Sequence, residues 1–216
     1  MTESVATAVI FDMDGVLLDS GAHHRDAWRQ LLADLGVEPA PDFWRCTIGR
    51  PAEEAVAHLL DRPVDAEEAV ALARRKREHY ARLVARGTRP VASAPAFVTM
   101  LAGERVPRAV ATSASRHDVE SLLTEIGMRE HFEVIVTADD VRWGKPNPEV
   151  YLRAAELLGS PPTGCLVFED SVVGIHAARN AGMRVIGLTT AHTVRELLAA
   201  GAERAIADFE GFEWPV

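Results

Sequence analysis

Several features are scarce in this sequence, and each scarcity excludes a class of protein. The two cysteines, Cys46 and Cys165, lie far apart among 216 residues and match no metal or redox spacing. This excludes a disulfide scaffold and favours a reducing, cytosolic setting. No run of eighteen apolar residues is present, so no transmembrane helix is expected. The opening residues MTESVATAVIFD lack a basic segment ahead of an apolar one and do not indicate a signal peptide.

Positive charge is also in short supply. Lysine and arginine number 23 against 32 acidic residues, and the net charge of -9 disfavours nucleic acid or an anionic membrane as a partner. Only two of the basic residues are lysines, Lys76 and Lys145. Because a compact ammonium is not interchangeable with a guanidinium, we interpret Lys145 as a position that needs the ammonium itself. Lys76 lies within the run RRKR, for which a solvated charged face is the simpler interpretation.

Short apolar segments alternate with helical patterns through most of the chain. Strands are predicted near residues 6–11, 107–112, 133–137, 164–168, 184–188 and 204–207. Helices are predicted near residues 94–103, 116–127, 147–158, 171–181 and 193–200. Short strands that are apolar throughout and alternate with helices predict a doubly wound α/β fold with a parallel sheet.

Residues 21–88 interrupt this alternation. Helical patterns occur near 22–36, 51–60 and 65–86, and no strand pattern lies among them. This segment holds 11 basic and 11 acidic residues, so the whole net charge of -9 lies in the remainder. The sequence therefore predicts a helical domain of residues 21–88, inserted into an α/β core of residues 1–20 and 89–216.

Polar side chains cluster where the predicted strands end. They comprise four carboxylates, two hydroxyls and one ammonium: Asp12, Asp14, Glu169, Asp170, Thr112, Ser113 and Lys145. Ligands of open α/β sheets bind at the carboxyl ends of the strands, so we expect these groups to converge there. Carboxylates this close repel one another unless a cation lies among them, and hard oxygen ligands favour Mg2+. Proteins commonly bind phosphate esters through such a metal.

The same residues have candidate roles in phosphoryl transfer. One of Asp12 and Asp14 could be a nucleophile that forms an aspartyl-phosphate, and the other the acid/base. Lys145 would neutralise phosphate charge, and Thr112 or Ser113 would donate hydrogen bonds to its oxygens. Single aspartates or serines at strand ends are often turn or cap residues, so the prediction depends on the ordered set as a whole.

The segments FDMDGVLLDS, ATSAS, GKPNPEVY and VFEDSVVGI resemble the four ordered motifs of the haloacid dehalogenase (HAD) superfamily. The chain resembles most closely its β-phosphoglucomutase-like subfamily. This resemblance implies a Rossmann-like core with an inserted helical cap. It implies that Asp12 is the phosphoryl-accepting nucleophile, that Asp14 is the general acid/base, and that Ser113 and Lys145 bind phosphate. The Mg2+ of the family would be held by Asp12, the backbone carbonyl of Asp14 and Asp170, with Glu169 in or near its coordination shell.

The resemblance extends to the inserted helices. His24 in HHRDAW, Arg50 in IGRPAEE and Lys76 in RRKREHY fall where the subfamily places substrate-binding cap residues. The resemblance implies that His24 assists closure of the cap and proton transfer. It also implies that Arg50 and Lys76 hold the distal phosphate or polar end of the substrate. Each residue also has a plainer interpretation. His24 fits a surface helix residue, Arg50 a residue at a helix start, and Lys76 a member of a charged run. Trp28, one helical turn after His24, is interpreted as cap packing.

The expected function is Mg2+-dependent hydrolysis of small phosphate esters, above all sugar phosphates. We expect a cytoplasmic monomer or weak homo-oligomer. A β-phosphoglucomutase-type isomerase is the alternative, and Gly21-Ala22, in place of the Glu-Pro found in many phosphatases of the group, favours it slightly. An acid at position 14 argues against dehalogenation. A receiver-type phosphoacceptor domain is a third class, but its acceptor Asp lies on a later strand than its acidic pair and its first strand has no helical insertion after it.

Overall fold

Six parallel strands form one sheet. The computed structural model describes residues 6–39, 43–56, 60 and 62–215, and the side chain of Cys46 lies outside the described part. The strands are β1 (Ala8–Phe11), β2 (Arg108–Ala111), β3 (Val134–Val136), β4 (Cys165–Glu169), β5 (Arg184–Leu188) and β6 (Arg204–Ile206). Their order is β3-β2-β1-β4-β5-β6, which is the doubly wound order and not the 2-1-3-4-5 order of receiver domains. The predicted fold class and all six predicted strands are confirmed.

Nine helices are described. The first four lie between β1 and β2 along the chain: α1 (Gly21–Leu35), α2 (Phe43–Thr47), α3 (Ala52–Val56) and α4 (Ala66–Val84). The others are α5 (Ala94–Gly103), α6 (Arg116–Glu125), α7 (Glu149–Leu158), α8 (Val172–Asn180) and α9 (Val194–Ala200). The five-residue α2 was not predicted. Of the helix predicted over 51–60, the structure describes Ala52–Val56, and residues 57–59 lie outside the described part. No described helix is both long and apolar enough to cross a membrane.

The apolar strands are buried on both faces of the sheet. In β1, Val9 and Phe11 join one apolar cluster while Ala8 and Ile10 join the other, because successive side chains of a strand point to opposite faces. The ring of Phe11 stacks on Phe168 of β4 at 5.3 Å between centroids. This two-sided burial explains why the strand sequences are apolar throughout rather than alternating.

The helices α1 to α4, called here the helical insert, have an apolar cluster of their own. It contains Trp28, Leu31, Leu32, Phe43, Ala55, Val56 and Leu72. The chain leaves and re-enters the sheet region along two neighbouring segments, where the amide of Asp19 donates to the carbonyl of Arg89 at 2.9 Å. The C-terminal end of α4 packs on the sheet side instead, since Tyr80 and Val84 belong to the larger core cluster.

Candidate active site

The carboxyl ends of β1 and β4 deliver a cluster of buried carboxylates. The register that pairs Phe11 with Phe168 puts the next residues, Asp12 and Glu169, side by side. Together with Asp170 they offer carboxylate oxygens that all lie within 4.8 Å of one another, close enough to hold a metal ion. Burial raises the pKa of Asp12 to about 7, and burial with the carboxylate of Glu169 raises the pKa of Asp170 well above its ordinary value. A divalent cation would relieve this repulsion, so the donor set fits one.

Lys145 inserts its ammonium into this cluster from the loop before α7. Its Nζ lies 2.7 Å from Oδ1 of Asp12 and 2.6 Å from Oε1 of Glu169, and the side chain is 1% exposed. Burial lowers the pKa of Lys145, but the two carboxylates outweigh it and hold the pKa well above its ordinary value. Lys145 is therefore a fixed positive charge at the bottom of the site.

Glu169 is held on both oxygens. Its Oε1 also accepts from the hydroxyl of Tyr151 at 2.9 Å, and its Oε2 accepts from the amide and the hydroxyl of Ser171 at 2.8 and 2.9 Å. Ser171 additionally caps α8 by accepting from the amide of Gly174. A Cβ at Gly174 would lie 1.6 Å from Oε1 of Glu169, so only glycine leaves room for this carboxylate. Glu169 thus lies behind Lys145 as a fully hydrogen-bonded support.

Asp14 receives three donors on a single oxygen. Ser20 donates to Oδ1 at 2.5 Å, Nε2 of His24 lies 3.0 Å from it, and the hydroxyl of Tyr80 donates at 3.1 Å. Burial raises the pKa of Asp14, but His24 and Ser20 outweigh it and hold the pKa below its ordinary value. With Oδ1 fully engaged, Oδ2 is the oxygen of Asp14 left for chemistry.

The protonation of His24 follows from its second partner. Nζ of Lys76 lies 2.7 Å from Nδ1 of His24, and an ammonium only donates, so Nδ1 accepts and Nε2 carries the hydrogen that Asp14 receives. Burial and the charge of Lys76 lower the pKa of His24. Lys76 is 6% exposed, with the rings of Tyr80 and Trp28 at 4.9 and 5.6 Å. The interpretation of Lys76 as part of a solvated face is therefore wrong.

A cavity of about 290 Å3 separates the helical insert from the carboxyl edge of the sheet. Of the ten predicted site residues, only Glu169 is absent from its described lining. The other nine line the cavity: Asp12, Asp14, His24, Arg50, Lys76, Thr112, Ser113, Lys145 and Asp170. The hydroxyl of Ser113 donates to the carbonyl of Gly49 in the insert at 3.3 Å. The hydroxyl of Thr112 accepts a hydrogen bond from the backbone amide of Ala114 at 3.1 Å, so it is bonded within its own loop.

The sequence analysis did not identify two residues that donate hydrogen bonds to Asp14, Ser20 and Tyr80, or the cavity-lining ring of Trp44. Ser20 is the last residue of FDMDGVLLDS, so its place in that segment was the available signal. Tyr80 lies four residues after Lys76, which puts both on one helix face. It is also one of only two tyrosines. Trp44, which lines the cavity, belongs to the helix α2 that was not predicted.

Comparisons with known proteins agree with this geometry. The family model described as haloacid dehalogenase-like hydrolase matches residues 9–188. The chain is similar to validoxylamine A 7'-phosphate phosphatase of Streptomyces hygroscopicus, at 36% identity over 95% of each chain. It is equally similar to fructose-1-phosphate phosphatase of Escherichia coli, at 36% identity over 82% of this chain and 94% of that relative. The crystal structure of β-phosphoglucomutase from Clostridium difficile has the same fold, with a TM-score of 0.84 and 24% identity over 97% of this chain and 94% of that one.

Proposed function

The chain belongs to the haloacid dehalogenase-like hydrolase family, and from this premise we propose that it is a Mg2+-dependent phosphatase of small phosphorylated metabolites, sugar phosphates in particular. The proposal rests chiefly on one observation. Carboxylate oxygens of Asp12, Glu169 and Asp170 lie within 4.8 Å of one another, with the buried ammonium of Lys145 at 2.7 Å from Asp12. Two relatives, named as phosphatases of validoxylamine A 7'-phosphate and of fructose 1-phosphate, support the substrate class.

The metal would be held by the side chains of Asp12 and Asp170 and by the backbone carbonyl of Asp14. Oxygen ligands of this kind suit Mg2+. When bound, the ion would offset negative charge on the phosphoryl oxygens. Glu169 would lie in or near the coordination shell. Both of its oxygens accept hydrogen bonds, from Lys145, Tyr151 and Ser171, and these bonds would fix its position beside the metal.

The residues support a two-step transfer. Lys145 holds Oδ1 of Asp12, so Oδ2 would attack phosphorus while the bond to the ester oxygen breaks. The negative charge of a bound phosphate ester would raise the pKa of Asp14 and favour its protonated form. Protonated Asp14 would then give its proton from Oδ2 to the departing oxygen. In the second step Asp14 would take a proton from water as that water attacks the phosphoryl group on Asp12. Inorganic phosphate leaves, and both aspartates return to their starting states.

We propose that residues 21–88 act as a cap over residues 1–20 and 89–216. The contacts that support this join insert to core at the site itself: His24 and Tyr80 reach Asp14, and Ser113 reaches Gly49. A closed cap would exclude bulk water from the reacting atoms. Arg50 lines the cavity beside Glu54 at 3.7 Å and is the insert residue proposed to contact substrate, while Lys76 would act by holding His24.

The test is 31P NMR of the protein with Mg2+ and a panel of sugar phosphates, including β-glucose 1-phosphate with a trace of glucose 1,6-bisphosphate. Growth of the inorganic phosphate signal, lost with EDTA, is the expected result. Asp12→Asn should fold normally and release no phosphate, whereas Asp19→Asn, at an exposed carboxylate of the same segment, should be fully active. Isomerisation with little free phosphate would indicate the mutase alternative. Full activity of Asp12→Asn would refute the nucleophile assignment.

A further inference from the structure

The loop that follows β5 packs against the carboxylate cluster, although it contains none of the residues that the sequence predicted for the site. β5 lies beside β4 in the sheet, so residues 189–193 emerge at the same carboxyl edge as Asp170. Ala191 lines the cavity, and Thr190 and His192 flank it in sequence. The loop therefore reaches this edge from the side of β4 that faces away from β1.

The hydroxyl of Thr190 bridges two segments of the site. It donates to the carbonyl of Gly15 at 2.6 Å, and its Oγ1 lies 3.2 Å from Oδ2 of Asp170. Gly15 directly follows Asp14, so this one hydroxyl contacts both the turn after β1 and the carboxylate after β4. Those two segments carry the proposed metal ligands, which are Asp12, the carbonyl of Asp14 and Asp170. Thr190 is thus placed between ligands that come from different strands.

This contact is close because Gly15 has no side chain. Its φ of +72° lies in the left-handed region, and a Cβ there would lie 1.9 Å from Oδ2 of Asp170 and 2.9 Å from Oγ1 of Thr190. The loop makes a second contact, in which Nδ1 of His192 lies 3.0 Å from the backbone carbonyl of Asp170. A carbonyl only accepts, so Nδ1 carries the hydrogen and donates it. The loop therefore contacts Asp170 at its carboxylate and at its backbone.

We propose that Thr190 and His192 are positioning residues for the metal ligand Asp170. Thr190 fixes the carboxylate of Asp170 relative to the turn after β1, and His192 fixes its backbone. Groups that hydrogen-bond a metal ligand orient it before the ion binds, and their loss typically lowers metal affinity about 10- to 100-fold. This inference rests on the proposed function, since it takes Asp12, Asp14 and Asp170 as the ligands of a divalent cation.

The test measures metal affinity in the absence of substrate. Mn2+ is the probe, because it takes the same oxygen ligands as Mg2+ and because the EPR signal of the free ion reports the bound fraction. Thr190→Val keeps the shape of the side chain without its hydroxyl and should raise the Kd for Mn2+ about tenfold. Thr190→Ser restores the hydroxyl and should lie within about twofold of the wild type. His192→Ala should raise the Kd as well, because Asp170 then loses its backbone contact.

Thr124→Val is the matched control. Like Thr190, Thr124 is exposed and its hydroxyl donates to a backbone carbonyl at 2.6 Å, that of Glu120, but it is absent from the described cavity lining. Both valine variants should show the same small shift in urea unfolding with EDTA, while only Thr190→Val loses metal affinity. An unchanged Kd in Thr190→Val, or an equal loss in Thr124→Val, would overturn the inference. Wild-type protein that binds no Mn2+ and releases no phosphate with Mg2+ would instead refute the proposed function, and the inference with it.

Discussion

Two ion pairs of this protein have the same length and opposite environments, which permits a sharp stability prediction. Lys145 and Asp12 meet at 2.7 Å with side chains 1% and 10% exposed. Arg153 and Glu156 also meet at 2.7 Å, but with side chains 47% and 68% exposed. Lys145→Met leaves buried carboxylates without their ammonium, whereas Arg153→Met removes a partner that water replaces.

The expected losses in the free energy of unfolding differ several-fold between the two variants. Removing one partner of a buried ion pair costs about 3–5 kcal/mol. Removing one partner of an exposed pair costs less than about 1 kcal/mol. For a chain of this size, the larger loss corresponds to a fall in Tm of about 10 °C. The second carboxylate on Lys145, Oε1 of Glu169 at 2.6 Å, places Lys145→Met toward the upper end of its range.

Urea unfolding in the presence of EDTA measures both variants without a contribution from bound metal. The double variant Lys145→Met/Asp12→Asn should be more stable than Lys145→Met alone, because it removes one of the carboxylates left without a counter-charge. If Lys145→Met loses no more stability than Arg153→Met, or if Asp12→Asn adds to the loss of Lys145→Met, burial does not make the Lys145–Asp12 pair the more stabilising of the two.

Three further outcomes are expected. Tyr80→Phe should lower kcat about tenfold with little change in KM. The substitution removes one hydrogen bond to Asp14 but keeps the ring stacked on His24. An unchanged kcat in steady-state kinetics would contradict this expectation. Burial lowers the pKa of Lys76 from 10.5 to about 8, so the unfolded chain binds this proton more tightly between those values. The cost of burying Lys76 is then fully present below pH 8 and fades toward pH 10.5, and wild-type stability relative to Lys76→Met should rise across that interval in urea unfolding. Burial also raises the pKa of the Cys165 thiol to about 11, so at pH 8 iodoacetamide should label Cys165 far more slowly in the native protein than in urea, as read by peptide mass spectrometry.

Features that depend on local pattern were predictable from the sequence. All four residues of β1 are apolar because both faces of the sheet are covered, and that pattern is visible without knowledge of the partners. The convergence of Asp12, Thr112 and Asp170 was predictable for a similar reason. Parallel strands share one carboxyl edge, so residues just past the ends of neighbouring strands become neighbours whatever their separation along the chain.

Features that depend on how the insert packs were not predictable in this way. Tyr80 reaches Asp14 across 66 positions of sequence, and no periodicity connects the two. The helix α2 is too short, at five residues, to display a helical repeat, so Trp44 had no predicted element to carry it to the cavity. Lys76 shows the difference most clearly, since a run of basic residues is usually solvated and here one member is buried against two aromatic rings.

The amino-acid sequence by itself thus determined the class of fold, the order of its elements and the residues gathered at the sheet edge. These follow from side-chain periodicity and from the direction of strands, which are properties of short segments. Only the tertiary structure decided that Glu169 supports Lys145, that Oδ1 of Asp14 is fully engaged, and that Arg77 is paired with Glu53. Those outcomes depend on distances between side chains of different elements, and such distances are set by packing, where shifts of an ångström decide which hydrogen bonds form.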